Sequence, residues 1–378
     1  MMDLLSLSVL VPLRTDDFAF YRSKLVLRDA LDLSDVETVV VDDGSAPVAA
    51  AQIEEFCHQR GYVYVRLDTV NEPFSLSRAR NAGLRAARSE FVYMDDADLV
   101  YPHSFFQAVQ VQLRLLHHTP FNFLGVPAVY LTAAASASVV ADASLDASYP
   151  RVVQALLLED PKGGPKNEVV QSYAPASGVL ALRRELALQL GGYDETFVGW
   201  GGEDRDFVFR LLAANQQLPL PDRFRQTETW NLNDTLLFQG WRALHRLHGE
   251  FMARQGLYAV HLHHEKLSWR RPVSSGRNMQ LAAENALATP VVERVEGQVF
   301  DLRQSVLFDI YRKNDLLDSA DSRSLMERLQ EANRLKERVR GVQRPLSKKL
   351  RKLMISPLDF FADSRFWSLR AVAKFFRG

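Results

Sequence analysis

The sequence reads VVVDDGS at residues 39–45 and FVYMDDAD at residues 91–98, and each stretch places acidic side chains directly after strand-forming residues. Around them, apolar strand-like runs alternate with segments of helical spacing through residues 5–94. This alternation predicts a mostly parallel α/β sheet flanked by helices, with right-handed crossovers. Ligands of such sheets bind at the carboxyl ends of the strands, where both acidic stretches lie.

Composition indicates the class of protein. The chain has 378 residues, 47% hydrophobic and 24% charged, which is typical of a globular protein of two or three compact units. Its net charge is zero, so nothing indicates a nucleic-acid partner. Cys57 is the single cysteine, which excludes an internal disulfide and fits a reducing compartment. The apolar stretch at residues 4–13 is short and lacks a basic lead, and neither a signal peptide nor a membrane-spanning helix is predicted.

The pattern beyond residue 100 is less regular. The predicted elements include a strand at residues 121–131, an Ala- and Ser-rich loop at 132–148, and helices at 203–213, 230–248 and 315–339. Residues 344–378 carry nine Lys or Arg and two Asp, a net charge of +7, interleaved with Phe, Trp and Leu. This basic tail is interpreted as an amphipathic helical segment on an anionic membrane surface. Packing on the core or on a second subunit is the alternative, which leaves oligomerisation open.

Three carboxylates in the second acidic stretch, those of Asp95, Asp96 and Asp98, repel one another, and the cost grows as they are desolvated. A divalent cation relieves this repulsion, and hard carboxylate oxygens suit Mg²⁺ or Mn²⁺. The alternative is a solvated helix cap leading to Pro102.

Asp42 and Asp43 close the first acidic stretch. A carboxylate there can accept hydrogen bonds from a nucleotide base or a ribose hydroxyl, whereas Asp-Gly-Ser is also ordinary turn chemistry. Arg80 and Asn81 add a cation and an amide early in the helix before the second stretch. Arg can grip a diphosphate in bidentate fashion, and a solvated helix face is the alternative.

A third acidic site, GWGGED at residues 199–204, supplies a candidate general base. Glycines such as Gly201 let a backbone approach a substrate closely, and Trp200 offers a flat apolar face for a sugar ring. A partly shielded carboxylate at a helix start, from Glu203 or Asp204, can take a proton from an acceptor hydroxyl. The alternative is plain helix capping with Trp200 in the core.

Three histidines occur in HLHHE, residues 261–265, after a strand-like run. On a strand, His261 and His263 share one face, and one imidazole could complete a metal site beside carboxylates. A hydrogen-bonded structural role is the alternative, and the sequence leaves open which histidine binds.

With these motifs in this order, the chain resembles the family 2 glycosyltransferases of GT-A fold, in particular bacterial enzymes that build capsule or lipopolysaccharide glycans. Its GWGGED segment resembles that of galactosyltransferase-like enzymes and chondroitin-type polymerases. The resemblance spans residues 5–265 and rests on residues 7–12, 39–45, 79–84, 93–98, 191–195 and 199–206.

The resemblance implies inverting transfer of a sugar from a UDP-sugar to a hydroxyl of a growing bacterial surface glycan, free or lipid-linked, with Mn²⁺ or Mg²⁺. The implied nucleotide-sugar site comprises Pro12, Asp42, Asp43, Arg80, Asn81, Asp95 and Asp96. The implied metal ligands are Asp96, Asp98, His261 and His263. The implied catalytic residues are Asp204 and Glu203, and the implied acceptor-binding residues are Trp200 and Gly201.

The resemblance also implies the organisation of the chain. Residues 1–268 would form the GT-A domain, with a nucleotide-sugar half at residues 1–130 and an acceptor half at 131–268. Residues 269–378 would form a helical C-terminal region that ends in the basic tail. The protein is expected in the cytoplasm, peripheral on the inner face of the plasma membrane.

Two other functions stay open at this point. A sugar nucleotidyltransferase also uses an α/β sheet, a metal and a nucleotide, but it normally needs a Gly-rich phosphate loop where this chain reads PLRTDD at residues 12–17. A catalytically inactive, membrane-associated GT-A scaffold would bind neither UDP nor metal.

Overall fold

The computed structural model describes residues 5–116, 121–157, 167–226, 238–264 and 272–293. The strands are β1 Leu7–Leu13, β2 Val36–Asp43, β3 Val63–Leu67, β4 Phe91–Met94, β5 Leu99–Val100, β6 Phe123–Gly125, β7 Ala128–Leu131, β8 Val170–Ala174, β9 Leu180–Arg183 and β10 Ala259–His261. The helices are α1 Ala19–Leu25, α2 Pro47–Gln59, α3 Leu76–Ala86, α4 Phe105–Leu115, α5 Ala133–Asp142, α6 Tyr149–Leu157, α7 Arg184–Gln189, α8 Glu203–Ala213, α9 Trp241–Arg254 and α10 Pro272–Ala288.

A six-stranded sheet forms the centre of the fold, in the order β3-β2-β1-β4-β9-β6. The first four of these strands run parallel, and β9 is antiparallel to both of its neighbours. Successive side chains of β1 enter two separate hydrophobic clusters, Val9 and Val11 in one and Leu10 in the other. Since neighbouring side chains of a strand point to opposite faces, both faces of the sheet are covered, and the predicted mostly parallel α/β sheet is confirmed.

Strand register brings the two acidic stretches to one edge of this sheet. Leu10 of β1 pairs with Met94, the last residue of β4, and the amide of Asp95 still donates to the Leu10 carbonyl at 3.0 Å. Beyond that point β1 continues beside β2 alone, where Leu13 pairs with Asp42. The segment after β4 therefore leaves the sheet next to the end of β1.

A smaller sheet, in the order β5-β10-β7-β8, carries the histidine segment to the same edge. In this sheet β10 is antiparallel to β5, and His261 pairs with Leu99. Because Leu99 directly follows Asp98, this pairing places the first histidine beside the second acidic stretch. A third hydrophobic cluster, which includes Val100, Val129 and Val260, packs on this sheet.

The Ala- and Ser-rich segment, predicted as a loop at residues 132–148, is instead largely helical, with α5 at Ala133–Asp142. Thr132 caps this helix by accepting a hydrogen bond from the amide of Ala135 at 3.3 Å. Alanine has the highest helix propensity, so a capped alanine-rich run favours a helix over a loop. The loop prediction was wrong because it treated the small Ala and Ser residues as a sign of flexibility, although alanine favours a helix.

The strand predicted at residues 121–131 divides into β6, which joins the large sheet, and β7, which joins the small one. Val126 and Pro127 separate them, and proline cannot donate to a strand ladder. In the described part of the predicted helix at 230–248, α9 begins at Trp241. Residues 230–237 of that prediction lie outside the described residues.

The helix α10, Pro272–Ala288, lies in the region predicted to be helical, and the domain boundary at residue 268 stays a prediction. The helix predicted at residues 315–339 and the basic tail lie outside the described residues. Among the helices that the structure describes, none combines the length and apolar character needed to span a bilayer.

Candidate active site

A cavity of about 160 Å³ at the carboxyl ends of β1 and β4 brings the second and third acidic sites together. The predicted residues that line it are Pro12, Arg80, Asp96, Asp98, Trp200, Glu203 and Asp204. The other predicted residues are not part of its wall, namely Asp42, Asp43, Asn81, Asp95, Gly201, His261 and His263. A shared site therefore forms from segments about 100 residues apart in the chain, one that follows β4 and one at the start of α8.

Asp98 lies next to two histidines. Its Oδ2 is 3.0 Å from Nε2 of His264 and 3.3 Å from Nε2 of His261. Asp98, His261 and His264 each offer one potential ligand atom, and these three atoms all lie within 4.8 Å of one another. A carboxylate oxygen and two imidazole nitrogens suit Mn²⁺ and other divalent cations, so this donor set fits the expected metal.

The structure brings His264, rather than the predicted His263, to Asp98. The strand β10 ends at His261, so the alternation of side chains along a strand no longer applies to the residues that follow. His263 is exposed, and its amide donates to Oγ of Ser136 at 2.7 Å. The His264 ring also packs edge-on against Phe20, with centroids 5.4 Å apart, which fixes its orientation.

Asp95 is fully buried, does not line the cavity, and stabilises the acidic stretch through its hydrogen bonds. It forms an ion pair with buried Arg28 and accepts a hydrogen bond from the Tyr101 hydroxyl at 2.6 Å. Its Oδ1 also accepts from the amide of Asp96 at 2.8 Å. Burial raises the pKa of Asp95, and the Arg28 guanidinium opposes that shift. This carboxylate therefore braces the backbone that presents Asp96 and Asp98.

Arg80 connects the two acidic sites across the cavity. The guanidinium is buried, donates to Oδ1 of Asp96 at 3.1 Å, and lies 3.9 Å from Oε1 of Glu203. Burial raises the pKa of Glu203 to about 7, the Asp204 carboxylate adds to this shift, and Arg80 opposes it. Near neutral pH, Glu203 therefore carries a proton in a large fraction of the molecules.

Asp204 is half-buried in the cavity wall and faces the backbone of Gly178. A Cβ added at Gly178 would lie 3.1 Å from Cβ and 3.3 Å from Oδ2 of Asp204. Glycine at this position therefore leaves room for the side chain of the candidate base.

The first acidic stretch is occupied by protein contacts. Asp43 is fully buried and accepts four hydrogen bonds of 2.8–3.1 Å, from the Thr69 hydroxyl, the Ser75 amide and the Arg78 guanidinium. Asp42 accepts from Ser45, Tyr64 and Arg66. The contact of these two aspartates with a nucleotide stays a prediction. In this structure Asp43 orders the segment around Ser75, whose neighbours Phe74 and Leu76 line the cavity.

Asn81 joins α3 to the segment after α7. Its Nδ2 donates to the Tyr193 carbonyl and to Oε1 of Glu195, both at 2.8 Å, and its Oδ1 accepts from the Tyr193 amide at 2.7 Å. A Cβ at Gly192 would lie 2.3 Å from that Oδ1, so glycine is required there. The role of Asn81 at the nucleotide-sugar also stays a prediction.

Sequence reasoning missed several residues of the site. Tyr21 and Gly178 line the cavity, and Arg28 and Tyr101 anchor Asp95. Arg28 lies 67 residues from its partner, and no local pattern indicates such a pairing. His264 was within reach of the sequence, since the HLHHE run contains it.

The profile of the family described as "Glycosyltransferase like family 2" matches residues 8–272 of this chain. The chain belongs to this family. The expectation of a family 2 glycosyltransferase is thereby confirmed, alongside the mixed α/β fold with helices flanking its sheet.

The similar curated proteins are named as chondroitin and hyaluronan synthases. The chain is 25% identical to a chondroitin synthase of Escherichia coli over 201 residues, which cover 47% of this chain and 28% of that protein. It is 26% identical to a hyaluronan synthase of Pasteurella multocida over 201 residues, which cover 47% of this chain and 19% of that protein. The chain thus spans less than a third of the length of these relatives.

Two solved structures are similar to this chain at lower sequence identity. A mannosyltransferase from Pyrobaculum calidifontis, in complex with GDP-Man and Mn²⁺, is 14% identical with a TM-score of 0.37, over 87% of this chain and 85% of that one. TarS of S. aureus in complex with UDP is 19% identical with a TM-score of 0.35, over 55% of each chain.

Proposed function

We propose that this family 2 glycosyltransferase is a metal-dependent, inverting enzyme that moves a sugar from a UDP-sugar to a hydroxyl of a growing glycan. The observation that carries the proposal is that two pairs of acidic residues line the same cavity. Asp96 and Asp98 form one pair, and Glu203 and Asp204 form the other. A site for a cation and a candidate base in one cavity is what transfer from a nucleotide-sugar requires.

The donor end of the site is assigned to Asp96 and Asp98 in the cavity wall, and to His261 and His264, which lie beside Asp98 outside that wall. These residues would hold Mn²⁺ or Mg²⁺, with Asp96 also available to the ribose. When bound, such a cation neutralises negative charge on the leaving diphosphate. Arg80 supplies a buried positive charge at the same end, held between Asp96 and Glu203. A buried guanidinium favours a diphosphate group because its charge and fork geometry match phosphate oxygens.

Asp204 is assigned as the general base. It lines the cavity beside Gly178 and would accept the proton of an acceptor hydroxyl as that hydroxyl attacks the anomeric carbon. Glu203, buried and with its pKa raised to about 7, adds little negative charge to the site when protonated. Attack from the face opposite the leaving group inverts the anomeric carbon, and holding both substrates in line supplies much of the rate.

Trp200 is assigned to the acceptor. Its side chain is 47% exposed although it lines the cavity, so a large apolar face is available at the cavity mouth. Sugar rings present apolar C–H faces that pack on such a surface. The names of the relatives favour a glycan as the acceptor, and the resemblance favours a bacterial capsule or lipopolysaccharide chain. Attachment of the basic tail to the inner face of the plasma membrane stays a prediction.

The proposal is tested by screening UDP-sugars for Mn²⁺-dependent release of UDP and for transfer to glycan acceptors. We expect Asp204→Asn to lower turnover by about 10²–10⁴-fold, the usual contribution of a general base. Asp35→Asn, which changes an exposed aspartate, is the matched control and should keep wild-type turnover. Unchanged turnover in a folded Asp204→Asn protein would refute the base assignment. A folded wild-type protein that binds neither UDP nor metal would instead favour the inactive scaffold.

A further inference from the structure

The helix α10 docks on the catalytic segment, although it begins at residue 272, where the family match ends. Asn278 and Asn285 lie seven residues apart and so share one face of this helix. Asn285 donates its amide to Asp194 and to Asp206, at 3.0 and 2.9 Å. Asn278 is only 2% exposed and contacts the loop that carries Trp200. Two buried or half-buried amides therefore fix the helix against α8 and the loop before it.

The contact of Asn278 with the loop is a pair of side-chain hydrogen bonds. Its Nδ2 donates to the Val198 carbonyl at 3.0 Å and to the Trp200 carbonyl at 3.4 Å. These two carbonyls belong to the residues before and after Gly199. A single side-chain amide therefore holds the part of the loop that lines the cavity. A buried amide whose donors are used in this way is costly to replace.

The backbone of the loop also packs so closely against α10 that two of its residues have to be glycine. Gly202 has φ +97°, and a Cβ there would lie 2.7 Å from the Asn278 carbonyl oxygen. Gly201 has φ +88°, and its Cβ would lie 3.2 Å from Cε of Met279. The glycines of GWGGED thus serve a close approach to α10, in addition to any approach to a substrate.

The opposite side of the loop is fixed by the segment that follows β3. The Gly199 amide donates to the Phe74 carbonyl at 2.8 Å, and Oγ of Ser75 donates to the Phe197 carbonyl at 2.9 Å. With Asn278 on its other side, the loop is held between two elements, and α8 starts directly after it at Glu203.

We propose that Asn278 is a positioning residue that sets the Trp200 loop and, through Gly202, the start of α8. The functional part of this inference rests on the proposed function, which assigns Trp200 to the acceptor and Asp204 to the proton transfer. The helix α10 is then part of the catalytic unit, so that unit extends beyond the boundary expected at residue 268.

Hydrogen exchange tests the anchoring without any activity. Asn278→Asp keeps the size of the side chain but removes the donor, and it places a carboxylate against two carbonyl oxygens. We expect amides of residues 199–206 to exchange about tenfold faster, which corresponds to about 1.4 kcal/mol. Gln280→Ala, on an exposed position of the same helix, should leave these rates unchanged. Asn278→Ala is the second variant if the buried carboxylate prevents folding.

Kinetics test the functional part. With Asn278→Asp, kcat/KM for the glycan acceptor should fall about tenfold or more, while the KM for the UDP-sugar should stay within about twofold. Equal losses for donor and acceptor, or faster exchange throughout the chain, would indicate a general loss of structure and would overturn the inference. Unchanged exchange at residues 199–206 would overturn it as well. If local exchange increases but the wild-type protein transfers no sugar, the anchoring stands and the proposed function falls.

Discussion

Glu203→Gln should make the ligand-free protein more stable at pH 8 than the wild type. Burial raises the pKa of Glu203 to about 7 in the folded protein, against an ordinary value of 4.5 for an exposed glutamate. The folded state therefore retains a proton that the unfolded state has lost between pH 4.5 and pH 7. Its stability contribution is fully present below pH 4.5 and disappears as pH rises through 7.

The size of the effect follows from the shift. A difference of about 2.5 pKa units corresponds to about 3 kcal/mol, at 1.36 kcal/mol per unit. Gln has nearly the same shape and no charge, so it avoids this loss. The advantage of Glu203→Gln over the wild type should therefore grow by about 3 kcal/mol between pH 4 and pH 8. Contributions of titrating groups that do not interact with Glu203 largely cancel in this difference.

Urea denaturation at several pH values, with EDTA present, measures this difference. Glu185→Gln, which changes an exposed glutamate, is the matched control and should show no such growth with pH. A difference between Glu203→Gln and wild type that stays constant from pH 4 to pH 8, or that falls, would show that the pKa of Glu203 is not raised in the folded protein. In that case Glu203 would not hold its proton through burial.

Three further predictions concern packing and the remaining buried groups. Gly249→Ala should lower the free energy of unfolding by about 3 kcal/mol, since its Cβ would lie 1.7 Å from the Pro175 carbonyl oxygen; thermal denaturation checks this, and an unchanged Tm contradicts it. Cys57 is buried with its pKa raised to about 12, so a thiol reagent should label it only after unfolding, and labelling of the native protein would contradict this burial. Gly178→Ala should lower kcat by about tenfold with the fold intact, because the new methyl displaces Asp204; a wild-type kcat would show that the base tolerates the shift.

The sheet and the position of its acidic stretches were predictable because they follow from local patterns. Apolar runs followed by Asp at residues 39–43 and 91–98 fix both the strands and the edge where they end. The carboxyl-end rule accounts for Asp98, which follows β4, whereas Asp204 starts α8 and was brought into the same site by the family resemblance.

Other features depended on contacts that no local pattern encodes. Asp43 looks like a ligand-binding carboxylate in sequence, but Thr69, Ser75 and Arg78 occupy its oxygens in the fold. The choice between His263 and His264 turned on where β10 ends, and strand ends are set by tertiary pairing. The role of α10 was not predictable, because the Asn278 contact joins segments about 80 residues apart.

A cation held at Asp98 and His264 should be required for this protein to bind the nucleotide. Calorimetric titration of UDP into the wild-type protein, with Mn²⁺ and with EDTA, tests it most directly, with His264→Ala and His263→Ala as a matched pair. We expect UDP to bind only with Mn²⁺, His264→Ala to weaken this binding about tenfold or more, and His263→Ala to leave it unchanged. Equal affinity for UDP in Mn²⁺ and in EDTA, or equal losses in the two histidine variants, would contradict it.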